Sequence, residues 1–249
     1  MAAPKTFGEV LEQISDVEGW LTDEQARRLY DRTRELQNDA RIVEIGSFRG
    51  RSLIVLASAA PVGVGIVSID PHAGGDRGPQ EIAPDQYLGD SDYHSYIDNL
   101  TNAGVADRVT HIRKTSGDAH GDVAGNIDLL YIDGAHRYGP ARQDVNAWGD
   151  RVVDGGTMLI HDSFSSIGVT LALLTSTFAG GHWRYQGRSG SLAEYRREPM
   201  SGPESIKNAL LQALQLAWFA RNVIIKGALT LKLYPLTYLL GHRTRDWPY

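Results

Sequence analysis

The chain has 249 residues, of which 42% are hydrophobic and 22% are charged, values typical of a soluble globular protein. It contains no cysteine, which excludes disulfides, thiolate metal sites and a cysteine nucleophile. The net charge of −5 is uneven, because residues 200–249 carry six basic and two acidic side chains, a net of +4 that leaves −9 for residues 1–199. An acidic body argues against nucleic acid as a partner, since phosphate contacts need clustered lysine and arginine.

The predicted elements begin with a helix over residues 23–37, where apolar side chains recur at helical spacing after Thr22, a typical N-cap residue. From residue 41, short apolar runs alternate with helical patterns. The predicted strands are 41–45, 64–69, 108–113, 127–132 and 157–161, and the predicted helices between them are 52–60, 91–103 and 138–149. Two more strands, 182–187 and 190–195, flank a Gly-Arg-Ser-Gly turn and predict an antiparallel hairpin.

Strands that alternate with helices indicate βαβ units, so the predicted fold class is α/β. We expect a Rossmann-like, seven-stranded, mostly parallel sheet with helices on both faces. The chain divides into N-terminal helices (1–40), the sheet domain (41–199) and a basic, apolar, helical C-terminal extension (200–249). Residues 71–92 lack periodicity and follow a strand end, which favours a lid over a ligand, with disorder as the alternative. Residues 1–10 show no signal-peptide pattern, which favours the cytoplasm.

The stretch 43–52 reads V-E-I-G-S-F-R-G-R-S, a buried strand that breaks into a glycine turn before a helix. Such a turn lets the backbone approach a nucleotide-like ligand closely. The dinucleotide fingerprint G-x-G-x-x-G fails here, because Phe48 and Arg51 stand where glycines are required. The pattern E-x-G-x-x-x-G-x-S instead resembles the first motif of class I S-adenosylmethionine-dependent methyltransferases.

That resemblance implies S-adenosylmethionine as the cofactor. The implied contacts in the turn are Glu44, Gly46, Ser47, Gly50 and Ser52. The Glu44 carboxylate would complement the ammonium and sulfonium charges of the cofactor. Asp70 ends the next predicted strand, where a carboxylate can accept both ribose hydroxyls of an adenosine. The resemblance further implies that Ser116 and Asp118 lie near the adenine and that Asp133 borders the cofactor.

Asp133 and Asp162 end neighbouring predicted strands, and carboxylate oxygens suit Mg²⁺ or Mn²⁺. A lone aspartate after a strand is most often a turn former, but Asp70 makes three such acids on one rim. The blocks 132–138 and 155–162 resemble metal-dependent O-methyltransferases of the macrocin O-methyltransferase and cephalosporin hydroxylase type. This implies a metal site of Asp133, His161 and Asp162. Because His161 stands where a second acid is common, a softer metal, a non-ligand His161 and a metal-free site stay open.

His136 is the candidate general base, together with Asp133 as the second catalytic residue. A sugar hydroxyl is a poor nucleophile, and a histidine with a near-neutral pKa can remove its proton as the methyl group moves. Some sugar O-methyltransferases that the chain resembles use a histidine three residues after the metal-binding aspartate, which is the spacing of His136 and Asp133. A purely structural role for His136, as a helix cap or a carbonyl partner, is the alternative.

Residues 203–241 are apolar with sparse basic side chains, and their longest uncharged run, 208–220, is too short to cross a membrane. Three interpretations stay open for this segment. It packs on the catalytic domain or in a homodimer, it binds anionic lipid at the inner face of the membrane, or it forms a wall of the substrate channel.

Together these features predict an S-adenosylmethionine-dependent O-methyltransferase that acts on a small-molecule acceptor, a hydroxyl of a saccharide, a glycosylated natural product or a glycolipid. One alternative is an NAD(P)-dependent or other nucleotide-binding Rossmann-type enzyme. The other is a non-catalytic, membrane-associated protein with this fold. A base beside a carboxylate pair argues against the last, since a pure binding protein has no need of one.

Overall fold

The computed structural model describes residues 5–75, 83–178, 181–245 and 247–248. Within them, one sheet is formed by β1 Arg41–Ile45, β2 Gly65–Ile69, β3 Val109–Ile112, β4 Ile127–Ile132, β5 Val152–Ile160, β6 Trp183–Ser189 and β7 Leu192–Arg197. The strand order is β3-β2-β1-β4-β5-β7-β6. The first five strands run parallel, and β7 is antiparallel to both β5 and β6. The predicted α/β class, the seven strands and the hairpin are thus confirmed.

The helices are α1 Phe7–Ile14, α2 Asp23–Arg34, α3 Arg51–Ala59, α4 Gln86–Asn102, α5 Tyr138–Ala147, α6 Ile167–Ser176, α7 Gly202–Ala213, α8 Gln215–Thr230 and α9 Tyr234–Leu239. Thr22 caps α2 as predicted, and Gln25 completes the capping box by accepting the Thr22 amide at 2.8 Å. Helix α4 begins before the predicted residue 91, because Asp85 caps it by accepting the Leu88 amide at 3.1 Å. The predicted lid is therefore shorter than 71–92, and its segment 76–82 lies outside the described residues.

The sheet is covered on both faces, which is why its strands read as apolar runs. Side chains alternate along a strand, so β4 sends Leu129 and Tyr131 into one core layer and Leu130 and Ile132 into the other. The first layer is closed by α1, α2, α3 and α4, and the second by α5 and α6. All four β4 side chains are at most 4% exposed. Burial on both faces leaves only the strand ends available for polar chemistry.

The reversal of strand order determines where such chemistry can occur. β1 pairs with β2 on one side and β4 on the other, so Ile45 lies opposite both Ile69 and Ile132. Ile132 also lies opposite Ile160 of β5. The carboxyl ends of β1, β2, β4 and β5 therefore lie at the same height along one edge of the sheet. Ligands of open α/β sheets bind at such an edge, where the strand order reverses.

The C-terminal extension packs one side against the α5–α6 layer through Leu216, Trp218 and Phe219. Helix α7 also holds the edge strand β6, because Asn208 accepts the Tyr185 amide at 2.8 Å. One of the three interpretations, packing on the catalytic domain, thus explains the apolar residues on the inner side of the extension. Among helices in the described ranges, none is both long and apolar enough to span a bilayer.

Candidate functional site

A cavity of about 690 Å³ opens at the carboxyl ends of β1, β2, β4 and β5. Its walls are the loops after these strands, the segment 115–118 that follows β3, and residues 18–21 from the N-terminal region. The predicted site residues that line it are Gly46, Ser47, Ser52, Asp70, Ser116, Asp118, Asp133, His136, His161 and Asp162. A cavity of this volume lies within the range of small-molecule binding sites.

Gly46 brings two of these loops into contact. Its φ of +83° is one that glycine adopts readily, and its amide donates to the Ile69 carbonyl at 2.9 Å. A Cβ on Gly46 would lie 2.1 Å from the carbonyl oxygen of Asp133, so only glycine permits this approach. Gly50 also has a positive φ, but it packs near Tyr96 and does not line the cavity. Gly50 shapes the turn, and its predicted cofactor contact stays a prediction.

Asp70 ties the glycine turn to the loop after β2. Its Oδ2 accepts the amides of Ser47 and Phe48, both at 2.8 Å, and its Oδ1 accepts the His72 amide at 2.7 Å. Hydrogen bonds from N–H groups to a charged carboxylate are strong and hold it in one orientation. Asp70 therefore lies at a fixed position on the cavity wall, with lone pairs left for further donors. The predicted ribose contact stays a prediction.

Glu44 is not among the residues that line the cavity, and its predicted contact with the cofactor stays a prediction. Strand alternation puts Glu44 on the same face of β1 as Ile42, beneath α3, where it is fully buried. The Ser52 hydroxyl donates to it at 2.6 Å. Burial raises the pKa of Glu44 to about 8, against the opposing effect of Ser47 and Ser52. The carboxyl is therefore neutral near pH 7 and supports the turn from below.

The loops after β4 and β5 bring two aspartates and two histidines together on the cavity wall. His136 Nε2 lies 2.8 Å from Asp162 Oδ2. His161 Nδ1 lies 3.2 Å from Asp133 Oδ1 and 3.6 Å from Asp162 Oδ2. Tyr131, at the end of β4, donates its hydroxyl to Asp133 Oδ2 at 2.9 Å. The predicted constellation is thus assembled, with each histidine beside a carboxylate.

The charges of this group support one another. Burial opposes a charge on His161, but Asp133 and Asp162 outweigh it and raise the pKa of His161 to about 10. Burial also opposes ionisation of Asp162, yet hydrogen bonds from His136 and His161 hold its pKa well below the usual range. For His136, burial is outweighed by Asp162, and its pKa is raised. At neutral pH, His161 is therefore a cation and Asp162 an anion.

The turn that carries Asp162 is strained and is held from behind by the extension. Asp162 and Phe164 have φ values of +54° and +57°, uncommon for residues with a side chain. Such conformations persist only where the surroundings impose them. From α8, Asn222 Nδ2 donates to the Phe164 carbonyl at 3.3 Å, and Lys226 Nζ donates to the Ser165 carbonyl at 3.0 Å. The C-terminal extension thus contacts the turn that positions Asp162.

Asp133, His136 and Asp162 could hold a metal ion, since each offers one ligand atom and these atoms lie within 4.8 Å of one another. This set differs from the predicted one, in which His161 was the third ligand and which stays a prediction. His161 Nε2 lies 3.3 Å from the Gln25 side chain and its Nδ1 faces Asp133, so both ring nitrogens are directed at protein groups. Two carboxylate oxygens and one imidazole nitrogen fit Mg²⁺ or Mn²⁺, with the imidazole favouring Mn²⁺.

Two residues in the wall were missed from the sequence. Asp144 is 4% exposed and accepts the Ser116 hydroxyl, and its burial raises its pKa to about 6. Its signal was a carboxylate beside Ala141 and Val145 on the apolar face of α5. The ring centroids of Trp20 and Phe48 are 5.2 Å apart. Trp20 thereby brings the N-terminal region into the cavity wall. No local pattern marks Trp20, because its neighbours in the site come from distant parts of the chain.

Comparison with known proteins agrees with this geometry. A family model described as a methyltransferase domain matches residues 43–163, which run from β1 to the turn after β5. The O-methyltransferase TomG from Streptomyces achromogenes, solved with S-adenosylmethionine and involved in tomaymycin synthesis, is similar with a TM-score of 0.54 and 17% identity, over 80% of this chain and 92% of TomG.

A second solved structure, an O-methyltransferase from Bacillus cereus in complex with S-adenosylhomocysteine, has a TM-score of 0.54 and 16% identity, over 78% of this chain and 92% of that one. At such identities the structural likeness shows the fold. The family match spans the glycine turn, Asp70 and the Asp133–Asp162 group, the same residues that build the cavity. Over residues 43–163, just under half of its length, the chain is therefore similar to methyltransferase domains, and its fold is shared by S-adenosylmethionine- and S-adenosylhomocysteine-bound O-methyltransferases.

Proposed function

We propose that this enzyme transfers the methyl group of S-adenosylmethionine to a hydroxyl of a saccharide or glycosylated small molecule. The observation that carries the proposal is the pairing of His136 with Asp162 at 2.8 Å on the wall of the cofactor cavity. A hydroxyl acceptor needs a base, because its oxygen is a poor nucleophile until its proton leaves. The two O-methyltransferases of similar fold support a hydroxyl rather than another acceptor.

In the proposed complex, the adenosine lies across the glycine turn. Asp70, held by three amides, accepts the ribose hydroxyls, and Ser116 and Asp118 lie beside the adenine. Asp133 borders the methionine end, where a carboxylate complements the sulfonium charge. The acceptor then occupies the part of the cavity between the cofactor and His136.

The proposed chemistry uses His136 as the general base and Asp162 as the group that orients it. His136 takes the acceptor's hydroxyl proton as the oxygen attacks the methyl carbon, and the C–S bond breaks to leave S-adenosylhomocysteine. The new imidazolium is stabilised by the Asp162 carboxylate, which stays ionised because its pKa is well below the usual range. His161, already a cation, balances the charge of Asp133 and keeps the carboxylate pair together.

The same three side chains offer a second use. Asp133, His136 and Asp162 would hold Mg²⁺ or Mn²⁺, and a cation there would lower the pKa of an acceptor hydroxyl. A metal on His136 would occupy the nitrogen lone pair that a base needs, so the two uses of His136 exclude each other. The choice between them is open to direct measurement.

The test is a methyl-transfer screen over monosaccharides, glycosides and glycolipids, with S-adenosylhomocysteine release as the readout. Each acceptor is run with EDTA and then with added Mg²⁺ or Mn²⁺. We expect turnover with at least one glycosidic acceptor and retention of activity in EDTA, as the base mechanism requires. Activity that disappears in EDTA and returns with Mn²⁺ would assign His136 to the metal. Turnover of amine acceptors with none of the hydroxyl acceptors would contradict O-methylation.

A further inference from the structure

Helix α7 of the C-terminal extension is built with its polar side inward. Its buried side chains are Asn208 and Gln212, whereas Ile206, Leu210 and Leu211 are 64%, 61% and 42% exposed. The polar pair has a structural purpose, since it hydrogen-bonds to the catalytic domain at the β6 edge and after α6. A helix at a water interface normally has the opposite arrangement. The outward apolar side of α7 therefore needs an explanation of its own.

Helix α8 continues this surface. Its exposed positions are Ala217, Ala220, Val223, Ile224, Gly227 and Thr230. None is charged, and their spacing of three or four residues places them on one side of the helix. Leu214 and Leu231 at its ends are each 70% exposed, and Leu239 of α9 is 82% exposed. Exposed apolar surface of this extent marks an interaction site more often than bare solvent contact.

The charges on the same segment are all of one sign. Residues 205–245 contain no aspartate or glutamate, and their exposed charged side chains are Lys207, Lys232, Arg243 and Arg245. A symmetric dimer through this surface would bring these cations near their own copies, which is unfavourable. Asymmetric packing on the acidic body of a second copy would build a ring or a filament of several copies, since a head-to-tail contact leaves one surface of each copy open. An anionic bilayer offers both apolar depth and opposite charge.

We propose that α7, α8 and α9 dock on the surface of an anionic lipid bilayer. The apolar side chains of α7 and α8 enter the boundary between headgroups and acyl chains, and Lys207 and Lys232 contact lipid phosphates. The helices lie in the plane of the surface, consistent with the absence of a spanning helix among the described residues. The opposite side of α8 holds the Asp162 turn through Asn222 and Lys226, so the bilayer lies one helix diameter from that turn.

The test is co-sedimentation of the full-length protein with vesicles of phosphatidylcholine, with and without phosphatidylglycerol, and it needs no methyl-transfer assay. We expect binding to the anionic vesicles that weakens with added salt. The double variant Leu210→Glu and Leu214→Glu should lose binding. The matched control is Ile97→Glu, an apolar residue of α4 that is 40% exposed, and it should bind as the wild type does.

Charge reversal gives a second test in case the leucine variant does not fold. Lys207→Glu and Lys232→Glu together should reduce binding to anionic vesicles by at least about fivefold for each lysine, and should leave binding to neutral vesicles unchanged. Wild-type protein that binds no vesicles would overturn the proposal. So would sedimentation equilibrium that shows a dimer abolished by the Leu210 and Leu214 substitutions, because a second copy would then cover this surface.

Discussion

Gly46 sets the distance between the two loops that build the site. Its Cβ position is occupied by the Asp133 carbonyl oxygen, which would lie 2.1 Å from an added methyl group. We expect Gly46→Ala to lower the free energy of unfolding by about 1–3 kcal/mol, from strain at positive φ and displacement of Asp133, and to weaken S-adenosylmethionine binding. Chemical denaturation and calorimetry measure the two effects.

Gly8→Ala is the matched control, because Gly8 lies in α1 and a Cβ there meets no atom within 4 Å. It should raise the unfolding free energy slightly, as alanine does in a helix, and leave the cofactor affinity unchanged. Equal effects of the two substitutions would mean that the contact between Gly46 and Asp133 does not matter.

The buried carboxyl of Glu44 should make the free energy of unfolding depend on pH. Its pKa is about 8 in the folded protein against 4.5 for a free side chain, so the unfolded chain releases this proton at lower pH than the folded one. Stability therefore falls as the pH rises from about 4.5 to 8. Glu44→Gln should remove this slope and exceed the wild type by a few kcal/mol at pH 8, with the difference shrinking toward acid pH. Parallel curves of unfolding free energy against pH would contradict a neutral Glu44.

At the scale of the elements, we expect substitutions in α8 to lower the rate of catalysis, although α8 lies outside the cavity. Asn222 and Lys226 donate to the carbonyls of Phe164 and Ser165, in the strained turn that begins at Asp162. We expect Asn222→Ala and Lys226→Met each to lower kcat roughly tenfold, since small misplacements of catalytic groups are costly. The KM for S-adenosylmethionine should change little, because the glycine turn is untouched.

Lys232→Met is the control for this pair, because Lys232 is exposed on the same extension. It should keep the wild-type kcat with a water-soluble acceptor. A fall in thermal stability for Lys226→Met with kcat unchanged would show that α8 supports the fold without positioning Asp162.

Element types were predictable from the sequence, and their ends were less so. Buried parallel strands are continuous apolar runs, which is why β1 and β4 were located closely. β5 begins at Val152, before the predicted residue 157. Its first residues were not recognised as a strand because Asp154, Gly155 and Gly156 interrupt the apolar run. The start of α4 was missed because its cap, Asp85, lies in a stretch without periodicity. Polar residues near the ends of β5 and α4 thus interrupt the apolar pattern, while strand pairing and helix capping determine where these elements begin.

The residues of the candidate site were likewise predictable in part. Asp70, Asp133 and Asp162 were predictable because each lies within two residues of the end of a strand, and parallel strands end at one edge. Which of the two histidines could join the carboxylates as a metal ligand was not predictable, because His161 is directed by Gln25 of α2, over a hundred residues away in the chain. The burial of Glu44 follows from strand alternation, but the family resemblance pointed to the cofactor instead.

At the scale of the whole molecule, the site lies between two appended regions. Residues 18–21 form part of the cavity wall, and α8 supports the Asp162 turn. The charge is divided between the two parts, with −9 on residues 1–199 and +4 on residues 200–249. This separation orients the molecule in an electric field such as that of an anionic surface. The proposed chemistry and the proposed docking thus meet at α8.

The most direct test of the central claim is the rate of methyl transfer by His136→Ala, measured beside the wild type with a glycosidic acceptor in EDTA. General-base catalysis contributes roughly 10²–10⁴-fold, so the variant should lose activity by that factor. Its affinity for S-adenosylmethionine, measured by calorimetry, should stay close to that of the wild type, because the cofactor's proposed contacts are elsewhere. A variant that binds the cofactor normally and transfers methyl groups at the wild-type rate would contradict the account.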